Sequence, residues 1–485
     1  MKKNILASAF LLALCSMQTV QAETMNIAPN ETKSTVFNQI VLQNDEIAST
    51  ERVAIAEDAS PMQRSLENKQ NEVPLNVEEK TIPVFDLKGG VTKENPNVEL
   101  SKAPSAVSSW LNGDYATGKW FGARPLFEDH GVTVNSSLLY SPMFKNSGGA
   151  NDKTSGKGYT LFNLGVTLDT EKAGLWKGGK FYALYQKKTG YGISGPNGDS
   201  GVMGDWMGLD GWDWRQMSQM SEYWYQQELF DKKLRMKVGK QDANCDFGYL
   251  NSGWNFMNTA FSVNPTTPMP TYPDQAFGFM AEINPKEWLS IRNGTYSRYS
   301  NPFNISEIEV KSNIKKKPGR YMVGAWEMSD TTGMSVATGV DPSAGTIYNN
   351  FNRNFGGYVG FEQMVYKEKL DDDNDLQGLI VFGQAGMSPS NKNDMSKYLG
   401  GGINYVGPIK NRDKDILGIG VASGNFASRL GDITGQVGSE TVVECFYRAQ
   451  ITPWAYLQPD VQFIMNPSGM YGNSVAFGVR SVIVF

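Results

Sequence analysis

The stretch ETVVECFYRAQITPWAYLQPDVQFIMNPSGMYGNSVAFGVRSVIVF, residues 440–485, decides the fold. It divides into three alternating segments, 440–451, 456–466 and 474–485. In the first, Thr441, Val443, Cys445, Tyr447, Ala449 and Ile451 share one face. Glu440, Glu444, Arg448 and Gln450 share the other, with Val442 and Phe446. In the second, Leu457, Val461, Phe463 and Met465 oppose Gln458, Asp460, Gln462 and Asn466. In the third, Val475, Phe477, Val479, Ile483 and Phe485 alternate with Ala476, Gly478 and Arg480. Successive strand side chains point to opposite faces of a sheet. Each segment therefore offers one wall that can meet lipid and one that is wet and charged. A soluble β-sandwich would show the same alternation with its apolar face inward. The sequence ends on Phe485, at the tip of an alternating segment, as expected where a last strand pairs with a first and leaves no edge in lipid.

Working upstream, short alternating segments recur between turns rich in Asn, Asp, Gly and Pro, and no helical period is sustained. Strands are predicted at 132–141, 160–169, 180–190, 222–230, 233–241, 276–283, 289–297, 320–327, 357–366, 376–387, 398–406 and 415–422, in addition to the final three. About sixteen strands is a natural count for a single-chain pore, so one more is expected in a long connecting region. The fold class predicted is all-β, a transmembrane antiparallel β-barrel with a polar N-terminal extension. A mean hydropathy of −0.39 is compatible with it, because only every second strand residue faces lipid.

The first residues indicate export. Lys2 and Lys3 precede the apolar run 5–14, and Val20-Gln21-Ala22 offers small residues for cleavage, so 1–22 reads as a signal peptide. The run is far shorter than the ~20 residues of a spanning helix. Cys15 follows Leu14 rather than a small residue, which disfavours a lipoprotein site. With Cys15 removed, only Cys245 and Cys445 remain, too few for a disulfide framework; a single bridge between them is conceivable, but alternation turns Cys445 toward lipid.

Residues 23–108 carry 8 basic and 14 acidic residues, several prolines and only Phe37 and Phe85 as aromatics. Too little apolar surface is present to offset ordering, so an acidic, flexible periplasmic extension is expected. From 109 to 485 the composition changes: 35 basic and 36 acidic residues nearly cancel. That balance gives no reason to expect phosphate selection and no basic patch for nucleic acid.

Gly118-Lys119-Trp120-Phe121-Gly122-Ala123-Arg124, continuing through Leu126-Phe127-Glu128-Asp129-His130-Gly131-Val132, resembles the opening motif of the OprB-type carbohydrate-selective porins. There a Gly-Asp-Trp-Gly-Gly-x-Arg run leads through an amphipathic turn into the first strand; Lys119 and Phe121 depart from it. Lys237-Val238-Gly239-Lys240-Gln241-Asp242, Thr452-Pro453-Trp454, the run Leu457-Gln458-Pro459-Asp460-Val461-Gln462-Phe463-Ile464, Asn466-Pro467 and the ending from Gly478 and Arg480 to Phe485 also resemble this family. The resemblance covers 109–485. It implies a sixteen-stranded barrel in the outer membrane of a Gram-negative bacterium, with periplasmic termini and a constriction of charged and aromatic side chains. Small saccharides would pass, or sugar acids and quinate-like cyclic acids as in some relatives. Membrane lipid and a possible homotrimer complete the implied partners. Arg124 is the preferred eyelet residue by this resemblance. The turn 452–455 would be periplasmic, 467–473 external, and 244–275 is the candidate for a loop folded into the lumen.

A sugar presents hydroxyls that donate and accept, plus apolar ring faces, so a selective pore needs acid, amide and guanidinium groups beside an aromatic surface. Parity points Glu222, Trp224, Arg235, Lys237, Glu282, Arg292, Glu444, Arg448, Gln458, Asp460, Gln462 and Arg480 inward as pore-lining candidates. Such charges can equally serve to satisfy one another, and Trp and Tyr near strand ends can form an interfacial girdle.

No catalytic residues, cofactor or metal are expected. A barrel hydrolase would want a Ser–His pair, and the single histidine, His130, sits in the opening motif. The acidic run at 371–375 lacks the glycine and terminal glutamate of a calcium loop and reads as a hairpin turn. The leading expectation is a passive, sugar-selective porin. A general diffusion porin and an exported soluble carbohydrate-binding or -cleaving β protein are the alternatives.

Overall fold

The structure, a computed structural model, describes residues 106–151, 153–194, 202–213, 215–298, 301–330, 336–343, 345–372 and 375–485. The signal peptide expected at 1–22 and almost all of the extension expected at 23–108 lie outside the described residues.

Sixteen strands close into one antiparallel barrel. In chain order they are β1 (Val132–Lys145), β2 (Ser155–Asp169), β3 (Gly179–Tyr191), β4 (Met217–Leu229), β5 (Leu234–Gln241), β6 (Ala276–Lys286), β7 (Leu289–Arg298), β8 (Asn301–Ile314), β9 (Lys317–Asp330), β12 (Asn352–Lys367), β13 (Gly378–Met387), β14 (Met395–Val406), β15 (Ile416–Phe426), β16 (Ser439–Thr452), β17 (Ala455–Met465) and β18 (Ser474–Val484). Two short strands, β10 (Val336–Asp341) and β11 (Gly345–Asn349), form a separate hairpin within the β9–β12 connection. β1 closes on β18, with Leu138 opposite Ile483 and Phe144 opposite Phe477. Closure leaves no edge strand among the sixteen, which is the condition for a sheet to stand in lipid.

Every predicted segment falls on a barrel strand. The one missed is β8. Its inner face carries Phe303 and Ile305 and then Glu307 and Glu309, all buried, so no single polarity marks it. Pro302 at its start adds a turn signal. β4 begins earlier than predicted because a register shift interrupts it, and Ser221 and Glu222 are both buried. A bulge of this kind inverts parity along a strand.

The outward rows bear exposed apolar side chains, among them Phe279, Val323, Val359, Val421, Phe463 and Phe477. One rim has the tight connections 230–233, 287–288, 315–316 and 453–454, and β18 ends there. The opposite rim has the long ones, 192–216, 242–275 and 331–351. Outer-membrane barrels place short turns in the periplasm and long loops outside. The turn at 452–455 is thus on the periplasmic side, and 467–473 on the external side.

The inner wall is not uniformly wet. On β13 to β18, Ile380, Phe382, Tyr398, Ala422, Val442, Phe446 and Ile464 are buried in a single apolar cluster. The loops 192–216 and 242–275 supply partners for them, Met203, Met207, Leu209, Leu250, Phe256 and Phe261. β15 presents Gly418, Gly420 and Gly424 inward, and a Cβ on Gly420 would meet Phe261 at 2.6 Å. Glycine there lets the loop approach the wall. Cys245 and Cys445 are free thiols, so no bridge joins them.

Candidate functional site

Both connections fold into the lumen, as expected for 244–275 and not foreseen for the described residues 202–213 of the first. A buried backbone N–H needs an acceptor, and neither loop has a sheet of its own to provide one. The wall provides it. Glu444 accepts from the N–H of Met257 (2.6 Å) and Asn258 (2.9 Å), and Glu440 from those of Trp206 (2.7 Å) and Met207 (2.8 Å). Glu307 takes the N–H of Gly248 at 2.7 Å, and Glu362 that of Ser252.

The loops pack apolar side chains against the wall on both sides: on β6 to β12, Met280, Tyr296, Phe303, Ile305, Trp326 and Tyr358 are buried with Phe247 and Met269 of the second loop. What sets β5 to β12 apart is a charged ladder on the same wall. Arg235 donates to Glu282 at 2.7 Å, and Arg292 Nε to the same carboxylate at 2.6 Å. Arg292 also reaches Glu307 (2.8 Å) and Glu309 (3.1 Å). Arg320 pairs with Glu309 at 3.1 Å and lies 3.8 Å from Glu362. Arg235 stands opposite Glu282 in the sheet, Glu282 opposite Arg292, Arg292 opposite Glu307, and Arg320 opposite Glu362. The ladder is therefore built by register.

Three of its arginines also hold the second loop. Arg235 donates to Asp246 at 2.9 Å, Arg292 to the Asp246 carbonyl at 3.4 Å, and Arg320 to the Tyr249 carbonyl. Lys237 forms an ion pair with Asp246. Burial alone would raise the Asp246 carboxyl; Lys237 and Arg235 overcome it and hold the group below the usual carboxylate range. On the other side Arg448 donates to Asn255 Oδ1 at 2.9 Å and to Gln458 at 2.9 Å, with its guanidinium 4.6 Å from the Tyr456 ring centre. Between these anchors run three aromatics. Trp254 stacks on Trp212 at 5.5 Å and on Tyr249 at 5.9 Å, both with planes 29° apart. The ladder arginines keep partial side-chain exposure, 21% for Arg235 and 17% for Arg320, whereas Glu444 has none left. Exposure separates groups that can meet a solute from groups wholly enclosed: the ladder arginines hold the loop and still keep an open face.

The sequence-predicted residues divide on that basis. Arg235, Arg292 and Glu282 come together in the ladder, with Lys237 beside them. Glu222 and Trp224 sit next to it, joined by an indole hydrogen bond of 3.1 Å, and Lys237 lies 5.1 Å from the Trp224 ring. Glu444, Gln458 and Gln462 point inward but are taken up by loop backbone: Gln458 donates to the Asn255 carbonyl and Gln462 to that of Leu209. Arg480 is paired with Asp210 at 2.7 Å, and Asp460 accepts from Gln462. Arg124, the preferred eyelet residue, is elsewhere. Its guanidinium donates to the Phe485 carbonyl at 2.7 Å and is packed 3.6 Å from the Tyr115 ring and 4.2 Å from the Trp120 ring. It fastens the barrel seam at the periplasmic rim. Arg320, Glu309, Glu362, Asp246, Tyr249, Trp254 and Asn255 escaped the sequence reading. Parity could have found Arg320 and Glu362, which lie on predicted strands; nothing in alternation marks the loop residues.

The sequence profile described as carbohydrate-selective porin, OprB family, matches residues 153–485. The chain belongs to the OprB family of carbohydrate-selective porins. It is similar to Porin B of Pseudomonas aeruginosa, 23% identical over 429 residues that cover 79% of this chain and 93% of that protein. It is also similar to the putative porin QuiX of Acinetobacter baylyi, 21% identical over 413 residues, covering 74% and 89%. Among solved structures, Pseudomonas putida OprB at high pH superposes with a TM-score of 0.67 at 19% identity, covering 77% of this chain and 99% of that one. Its low-pH structure gives 0.54 at 20% identity, with the same coverage. These likenesses agree with the sixteen-stranded barrel. An OprB-family porin is a channel in the Gram-negative outer membrane, not an enzyme.

Proposed function

We propose that this porin passes small sugars by passive diffusion through an eyelet bounded on one side by Arg235, Arg292 and Arg320 and on the other by the Trp212–Trp254–Tyr249 stack. The ladder carries the reading. A guanidinium offers five fixed donors, the glutamates beside it accept, and the stacked rings match the apolar faces of a pyranose. Each ladder arginine is matched by a carboxylate, so the row has hydrogen-bonding capacity without a large net charge and suits neutral polyhydroxylated solutes. Outer-membrane lipid is the partner of the outward apolar rows. Residues 1–22 act as a cleaved export signal, 23–108 as a periplasmic extension and 109–485 as the pore; the apolar run 5–14 and the acidic composition of 23–108 support that division.

Arg448 favours a second reading. Its hydrogen-bond partners are amide and carbonyl oxygens of Asn255 and Gln458 rather than carboxylates. A guanidinium so placed favours a solute that brings its own carboxylate, such as a sugar acid or a quinate-like cyclic acid.

Swelling of liposomes that carry the purified protein tests both readings, with glucose, a disaccharide, gluconate, quinate and an amino acid of similar size. Faster entry of glucose than size alone dictates supports the neutral-sugar reading, and faster entry of gluconate or quinate the second. Entry ranked by size alone would reduce the protein to a general diffusion pore.

A further inference from the structure

Glu440 and Glu444 lie four residues apart on the same inward face of β16, and Gln462 stands opposite Glu444 on β17. All three are almost wholly buried, at 1%, 0% and 0% exposure. They do not share one task. Glu440 binds the first lumen loop through Trp206 and Met207, and also the N–H of Ser468 at 2.6 Å. Glu444 binds the second loop through Met257 and Asn258. Gln462 bridges them: its Nε2 donates to the Leu209 carbonyl at 2.8 Å, and its Oε1 accepts from Asn258 Nδ2 at 3.1 Å. The loops also exchange main-chain bonds directly, Gly211 N–H to Met257 O and Thr259 N–H to Gly208 O, each at 2.9 Å.

We infer that Glu440, Glu444 and Gln462 are positioning residues for solute selectivity, a clamp on β16 and β17 that locks both lumen loops into one body. The stack that borders the eyelet needs this, because Trp212 comes from the first loop and Trp254 from the second. Trp254 and Asn255 lie within four residues of the clamped Met257 and Asn258, and Arg448 pulls Asn255 from the other side. A shift of either loop would separate the rings and move the edge facing the arginines. The clamp thus sets pore width and solute affinity without touching solute. It rests on the eyelet reading above for its effect on sugars, but not for its effect on ion flow.

The test uses the full chain in planar bilayers, comparing the natural protein with Glu440→Gln and Glu444→Gln. In Glu444→Gln the amide oxygen can keep one of the two N–H donors while its NH2 confronts the other; in Glu440→Gln the NH2 confronts at least one of the three donors Trp206, Met207 and Ser468. Both variants should remain heat-modifiable barrels, show higher and noisier unitary conductance in KCl, and be blocked by glucose about tenfold more weakly, the factor one lost hydrogen bond is worth. Glu444→Asp, which keeps the carboxylate, should recover part of the block. Should either variant fail to fold, Gln462→Ala removes only the neutral bridge and should give the same changes in smaller measure. Folded variants with unaltered conductance and block would overturn the clamp. If the natural protein is not blocked by any sugar, the eyelet reading fails, and conductance alone still decides the clamp.

Discussion

Arg292 on β7 and Glu282 on β6 face each other directly across the sheet, with Nε 2.6 Å from Oε2, and the same guanidinium reaches Glu307 and Glu309 on β8. One arginine thus satisfies three carboxylates. Without it Glu282 keeps Arg235 and Glu309 keeps Arg320, but the buried Glu307 loses its ion-pair partner, and breaking a buried pair by removing one partner is strongly destabilising. Arg292→Ala should therefore destabilise the barrel by about 3–5 kcal/mol. The expected outcome is a lower temperature for the shift from folded to unfolded migration in detergent, together with weaker sugar block.

Arg124 should behave in the opposite way. Its guanidinium holds the Phe485 carbonyl at the seam rather than the eyelet. Arg124→Ala should lower the unfolding temperature, at a cost of about 1–3 kcal/mol for the unmade bond, and leave the glucose block constant unchanged. Single-channel titration with glucose checks it.

Trp254 is the middle ring of the aromatic stack. Trp254→Ala should raise unitary conductance and weaken sugar block by about tenfold, or ~1.4 kcal/mol, with a modest change in thermal stability. The same titration reads both quantities.

Arg448 bears on charge preference. Arg448→Gln should reduce gluconate entry relative to glucose entry in the swelling assay, because the guanidinium without a carboxylate partner is gone. A simple widening of the pore would raise both rates together.

The strand pattern was legible because alternation has a period of two and one face of each strand must be apolar toward lipid. It failed at β8, where Phe303 and Ile305 pack under loop residues and share the inner face with Glu307 and Glu309. It failed at Ser221 because a bulge breaks phase. The site was legible only in part. Parity reveals that Glu444 and Gln462 point inward, but not whether water or a folded loop awaits them. A motif gives a position in the chain, not a contact, so Arg124 was placed at the constriction when its partner is Phe485. The residues that complete the eyelet, Tyr249, Trp254 and Asn255, lie in a loop whose path is set by carboxylates from β8, β12 and β16, and no local pattern encodes that path.

The most direct measurement is glucose titration of single-channel current, comparing the natural protein with Arg292→Gln and Trp254→Ala. The eyelet account predicts saturable block in the natural protein and much weaker block in both variants, each still a folded barrel. Block that does not saturate, or that survives both substitutions unchanged, would contradict it.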